Sequence, residues 1–107
     1  MTRVPYLLLQ QVQRSLRILN LRNNVFVDLG YYKDDFSGEN TFPKLENLEH
    51  LNLEWCRIQQ IHPDAFQKLQ NLTELALSKN TLFSLPKAVA LPSLQSLEIE
   101  GKKKRIC

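Results

Sequence analysis

The spacing of apolar residues between 48 and 71 sets the pattern for the whole chain. Leu48, Leu51 and Leu53 come first, then Cys56, Ile58 and Ile61, then Phe66 and Leu69, with mostly polar residues between them. The pattern restarts at Leu72 with Leu75, Leu77, Asn80, Leu82 and Leu85, a distance of 72 − 48 = 24 residues. Two leucines two residues apart face one side of a strand, and the residues between them face the other. One short strand with a single apolar face cannot stand alone. Stacked copies bury that face and pair each backbone with the next, so a period in this range predicts a solenoid. The Asn or Cys after each strand falls where the chain turns inward, and its side chain is suited to backbone groups the turn leaves unpaired.

Four copies of the strand motif place strands around 19–21, 51–53, 75–77 and 97–99. Residues 1–15 read as an incomplete repeat in which Leu9 and Val12 take the closing roles of Phe66 and Leu69, or as a frayed apolar arm. Full repeats follow at 16–47, 48–71 and 72–93, then a last strand at 94–101 and a basic tail at 102–107, all in one domain. The first repeat is 48 − 16 = 32 residues long, so it carries 32 − 24 = 8 extra residues within 30–41. Gly30 and Gly38 mark that stretch as a loop. The third repeat has no Phe at the closing position, and Val89 and Leu91 fill the space.

These residues resemble the leucine-rich repeat family, whose motif L-x-x-L-x-L-x-x-N/C-x-L is matched by four strands over roughly residues 16–100. The resemblance implies a right-handed α/β solenoid: a short four-strand parallel sheet on the concave face, loops and short helical turns on the convex face. A repeat of 24 residues with the closing segment DAFQKLQNL is similar to the extracellular subtype, of which Toll-like receptor ectodomains are one example. That implies a receptor-type or extracellular array, innate immune in the Toll-like case, extracellular or at the cell surface if the chain is part of a longer secreted one and cytoplasmic if it is complete. An intracellular repeat scaffold is the alternative. The cysteine-rich flanks that cap such arrays are missing from this chain.

Composition changes this picture little. The 107 residues and 43% hydrophobic content fit one small domain. The net charge of +3 is too mild to point to nucleic acid. Cys56 sits at the turn position and reads as a buried free thiol. Cys107 has no local partner, and the two cysteines make no zinc-like spacing. No apolar run reaches membrane-spanning length, and MTRVPYLLLQQ is too short an apolar core for a secretion signal.

The register gives a surface map. Ile18, Asn20, Arg22 and Asn23, then His50, Asn52, Glu54 and Trp55, then Glu74, Ala76, Ser78 and Lys79, then Ser96, Glu98 and Glu100 face outward. From these, Arg22, His50, Asn52, Glu54, Trp55, Glu74, Lys79 and Glu98 are the candidate ligand contacts. Trp55 reads either as an exposed hot spot or as a cover over Ile58 or Leu82. Glu54, Glu74, Glu98 and Glu100 make the face acidic, which favours a basic protein partner; an ordinary solvated face with Arg22 paired to Glu54 is the competing reading. Tyr31 and Tyr32 in the inserted loop suit adaptable contacts. DDFSGEN lacks the alternating acids and distant glutamate of a calcium loop.

Asn71-Leu72-Thr73 fits the N-glycosylation pattern, so Asn71 is the sugar site if the chain is secreted. Lys102, Lys103, Lys104 and Arg105 make a solvated end or, as a less favoured reading, a contact for nucleic acid or acidic lipid. His50 and His62 fall on different faces and no nucleophile or phosphate-loop motif appears, so neither catalysis nor a cofactor, metal or small-molecule substrate is expected. The sequence thus points to a non-catalytic protein-recognition module, with uncapped ends open to edge-to-edge association between copies.

Overall fold

A computed structural model of the chain describes residues 4–30, 42–62, 65–82 and 93–99, together with the backbone of 102–105. The elements are a short helix α1 (Tyr6–Gln10) and strands β1 (Ile18–Asn20), β2 (Asp28–Leu29), β3 (His50–Asn52), β4 (Gln60–Ile61), β5 (Glu74–Ala76), β6 (Ser96–Ile99) and β7 (Lys102–Arg105). The main sheet runs β1-β3-β5-β6-β7. Its first four strands are parallel and pair like with like: Leu19 with Leu51, Leu51 with Leu75, Leu75 with Leu97. Hydrogen bonds just past the strands continue the ladder: the Leu21 amide donates to the Asn52 carbonyl, Leu53 to Ala76 and Leu77 to Glu98.

The middle of the stack is its best-buried part. Leu51, Leu53, Leu75 and Leu77 are buried, and so are the later apolar positions Phe26, Leu29, Ile58, Ile61, Phe66 and Leu69. The closing phenylalanines of successive repeats, Phe42 and Phe66, stack with ring centroids 5.9 Å apart. Leu16 and Leu19 are only partly buried because β1 is the edge strand and has no neighbour outside it among the described residues. Leu9 joins the core from α1, whereas Val12 is 39% exposed.

Three features depart from the sequence reading. Lys102–Arg105 is an antiparallel fifth strand on β6, with Glu98 opposite Lys103, so the sheet is not limited to four parallel strands. A second, two-stranded parallel sheet joins β2 to β4; its pairing is reinforced by the Gln60 amide, which donates to the Asp28 carboxylate at 2.7 Å. Ser78 is only 1% exposed although the alternation puts it outward. The alternation holds only within the strand, and β5 ends at Ala76, where the chain begins its turn. Tyr31, Tyr32, Val89, Leu91 and Glu100 lie outside the described residues.

Candidate functional site

With the leucines inward, the residues beside them form an open face. Ile18, His50, Glu74 and Ser96 make one column across the sheet, and Asn20, Asn52, Ala76 and Glu98 the next. These two columns line a shallow groove of about 360 Å³. Four candidate contacts, His50, Asn52, Glu74 and Glu98, meet there. The His50 Nδ1 lies 2.9 Å from the Glu74 Oε2, with both side chains well exposed. Such a pair fixes two side chains relative to each other but adds little to stability, because water screens it.

The groove ends where the strands end. The Asn20 Oδ1 accepts the Arg22 amide at 3.1 Å and the Asn52 Oδ1 accepts the Glu54 amide at 2.9 Å, turning the chain at the same point in both repeats. The next positions, Asn23, Trp55 and Lys79, have φ of 64°, 57° and 63°. Arg22, Trp55 and Lys79 are therefore not groove residues but lie along the strand ends. Trp55 is 51% exposed, and the Lys79 ammonium sits 5.9 Å from its ring centroid. Glu54 is half-buried, and no ion pair joins it to Arg22 among the described residues.

Behind the turn, Asn80 ties two repeats together. Its Nδ2 donates to the Leu53 and Leu77 carbonyls, and its Oδ1 accepts the Cys56 and Ile58 amides. Cys56 at the equivalent position is a buried free thiol that donates to the Leu21 carbonyl at 3.1 Å. Burial pushes its pKa up, and backbone hydrogen bonds from Asn24 and Asn23 only partly oppose that. A thiol kept neutral in this way packs and does not attack.

Asn71 is exposed, but its amide donates to the Glu46 carbonyl, as Asn47 donates to the Arg14 carbonyl one repeat earlier. The Thr73 hydroxyl is bonded to the Glu49 carbonyl at 3.0 Å. The Asn-Leu-Thr pattern thus also serves the turn between repeats. Sequence reasoning did not single out Arg57, which is exposed with φ 53° two residues after Trp55. It also missed a groove of about 490 Å³ lined by Tyr6, Gln10, Lys44 and Lys68 among others, where the Lys68 ammonium lies 5.7 Å from the Tyr6 ring centroid. Among the described residues, no group of His, Cys, Asp or Glu is arranged to hold a metal ion.

A family model described as leucine rich repeat matches residues 27–81 and again 46–103, together well over half of the chain. The chain belongs to the leucine-rich repeat family. Two relatives carry similar repeats. One is the Leucine-rich repeat-containing G-protein coupled receptor 5 of Rattus norvegicus, 43% identical over 63 residues that cover 59% of this chain and 7% of the receptor. The other is Epiphycan of Gallus gallus, 34% identical over 76 residues that cover 71% of this chain and 23% of that protein. This leucine-rich repeat chain thus spans less than a quarter of either relative. Neither is Toll-like by name. No solved structure gives a significant match.

Proposed function

We propose that this leucine-rich repeat chain is a non-enzymatic protein-recognition module whose contact surface is the open face of its main sheet. The observation that carries the reading is the groove itself. Polar side chains from neighbouring strands line it in register, over leucines that fix their positions. A rigid sheet holds such contacts at little entropic cost to binding. His50, Asn52, Glu74 and Glu98 are the proposed contacts within the groove, and Arg22, Glu54, Trp55 and Lys79 lie at its end. Two glutamates in the groove favour a basic segment of the partner.

The receptor relative supports placing the module at the cell surface or outside the cell, as part of a longer right-handed array with repeats divided at 16–47, 48–71 and 72–93. The reading does not extend to a Toll-like or innate-immune role, to which neither relative points. Association between copies is proposed to run through β1, because the other edge is closed by a lysine-rich strand, a sequence type that resists edge pairing. The test is titration of the folded chain with an arginine-rich peptide while amide chemical shifts are followed. Shifts confined to His50–Asn52, Glu74–Ala76 and Ser96–Glu98, lost in the E74K/E98K double variant, are expected. Shifts centred on the opposite side of the sheet would reject the surface.

A further inference from the structure

Just past the groove, the chain places residues that folding alone does not explain. A bulky residue with positive φ is an outlier, whereas Asn adopts that conformation readily. Asn23 meets this condition at its repeat position, while Trp55 stands at the equivalent one with φ 57°. The indole is half exposed and stands outside the buried core cluster. Trp55 is thus a worse residue for the turn than Asn, and its presence calls for another reason. Lys79, at the equivalent position of the next repeat, lies over its ring, and two more exposed cations belong to the same turns: Arg57 two residues on, and Arg22 next to Asn23 in the preceding repeat. Among the described residues, none of these three makes an ion pair with a carboxylate. Lys79 is held near the indole at 5.9 Å, which fixes its charge in place.

We propose that Arg22, Trp55, Arg57 and Lys79 form a second contact ridge that docks an acidic segment of a protein partner, with an aromatic side chain next to its carboxylates. The aromatic packs against the indole, and the carboxylates pair with Lys79 and with the forked guanidinium of Arg57. A sulfated polysaccharide fits less well. A uniform polyanion following the surface meets Glu54 beside the ridge and then Glu74 and Glu98 in the groove. A folded protein can match both signs, with an acidic segment at the ridge and basic groups over the groove. The ridge rests on the reading that the sheet's open side meets a protein, but the two fail separately because their charges are opposite.

Trp55 is the only tryptophan, so its emission reports on the ridge directly. The probe is an acetylated octapeptide of aspartates and glutamates around one phenylalanine. A saturable shift in Trp55 emission is expected, absent with the same peptide carrying lysines and absent in the R57E/K79E variant. By calorimetry, Trp55→Asn should weaken the acidic peptide at least about tenfold while its melting temperature holds or rises. E74K/E98K should preserve or tighten this peptide's binding while removing that of the arginine-rich one. No emission shift, or Trp55→Asn binding the peptide as the parent does, overturns the ridge. So does tighter binding of heparin than of the peptide, which would assign it to a glycan, or unfolding of Trp55→Asn, which would make the indole structural.

Discussion

Replacing Asn80 by Ala is the sharpest probe of how the repeats are joined. The Asn80 side chain makes four short hydrogen bonds: to the Leu77 carbonyl at 2.8 Å, the Leu53 carbonyl at 2.9 Å, the Cys56 amide at 2.9 Å and the Ile58 amide at 3.1 Å. Three of those partners belong to the preceding repeat, so the substitution breaks an inter-repeat tie as well as a turn. An orphaned buried group costs about 1–3 kcal/mol, and partial access of water to this half-buried site lowers the sum to about 3–5 kcal/mol. A domain of this size has a total stability of about 5–15 kcal/mol. Asn24 is the internal control. Its amide donates to the Leu21 carbonyl at 2.8 Å, within its own repeat. Asn24→Ala should therefore cost about 1 kcal/mol. Urea unfolding followed by circular dichroism measures both. The reasoning fails if the two variants lose equal stability, or if Asn80→Ala loses less than about 1 kcal/mol.

Three further outcomes can be checked on the same instruments. Gly30 has φ +87°, and an added Cβ would lie 2.7 Å from the His62 Cβ and 2.8 Å from the Ala65 Cβ. Gly30→Ala should destabilise by at least about 1–3 kcal/mol, and an unchanged unfolding midpoint would contradict that packing. Ser78→Leu should lose about 1–3 kcal/mol because the site is closed, whereas an outward-facing position would accept it without loss. The folded Cys56 thiol ionises above its ordinary 9.0. Its contribution is complete below that pH, and above it the unfolded chain sheds a proton that the native chain keeps, so stability falls. The drop approaches about 1.4 kcal/mol per pH unit until the folded pKa is passed. Cys56→Ala should remove that part of the slope, and identical slopes for the two proteins would contradict it.

The sheet was legible because its signal is local and repeated. Leu51 and Leu53, then Leu75 and Leu77, each specify a face, and the 24-residue interval specifies which strand meets which. The groove followed from the same alternation, which is why His50, Asn52, Glu74 and Glu98 emerged together. The alternation stops with the strand. At Ser78, and at Trp55 and Lys79 with their positive φ, the turn sets side-chain direction, and no period-two rule reaches that far. The pairing of β7 was hidden for a different reason. A run of lysines and an arginine has no apolar face to announce a strand, and it is held by backbone hydrogen bonding to β6. The β2–β4 pair is two residues long on each side, too short to leave a periodic trace.

The leucine methyls lie behind the sheet, while their sequence neighbours face solvent in front of it. Paramagnetic relaxation by a water-soluble gadolinium chelate, read on the side-chain signals of the folded chain, tests this arrangement residue by residue. Strong broadening of the His50 ring and the Ala76 methyl, with sharp Leu51, Leu53, Leu75 and Leu77 methyls, is the predicted result. Leucine methyls that broaden as much as the Ala76 methyl would contradict this placement of the two faces.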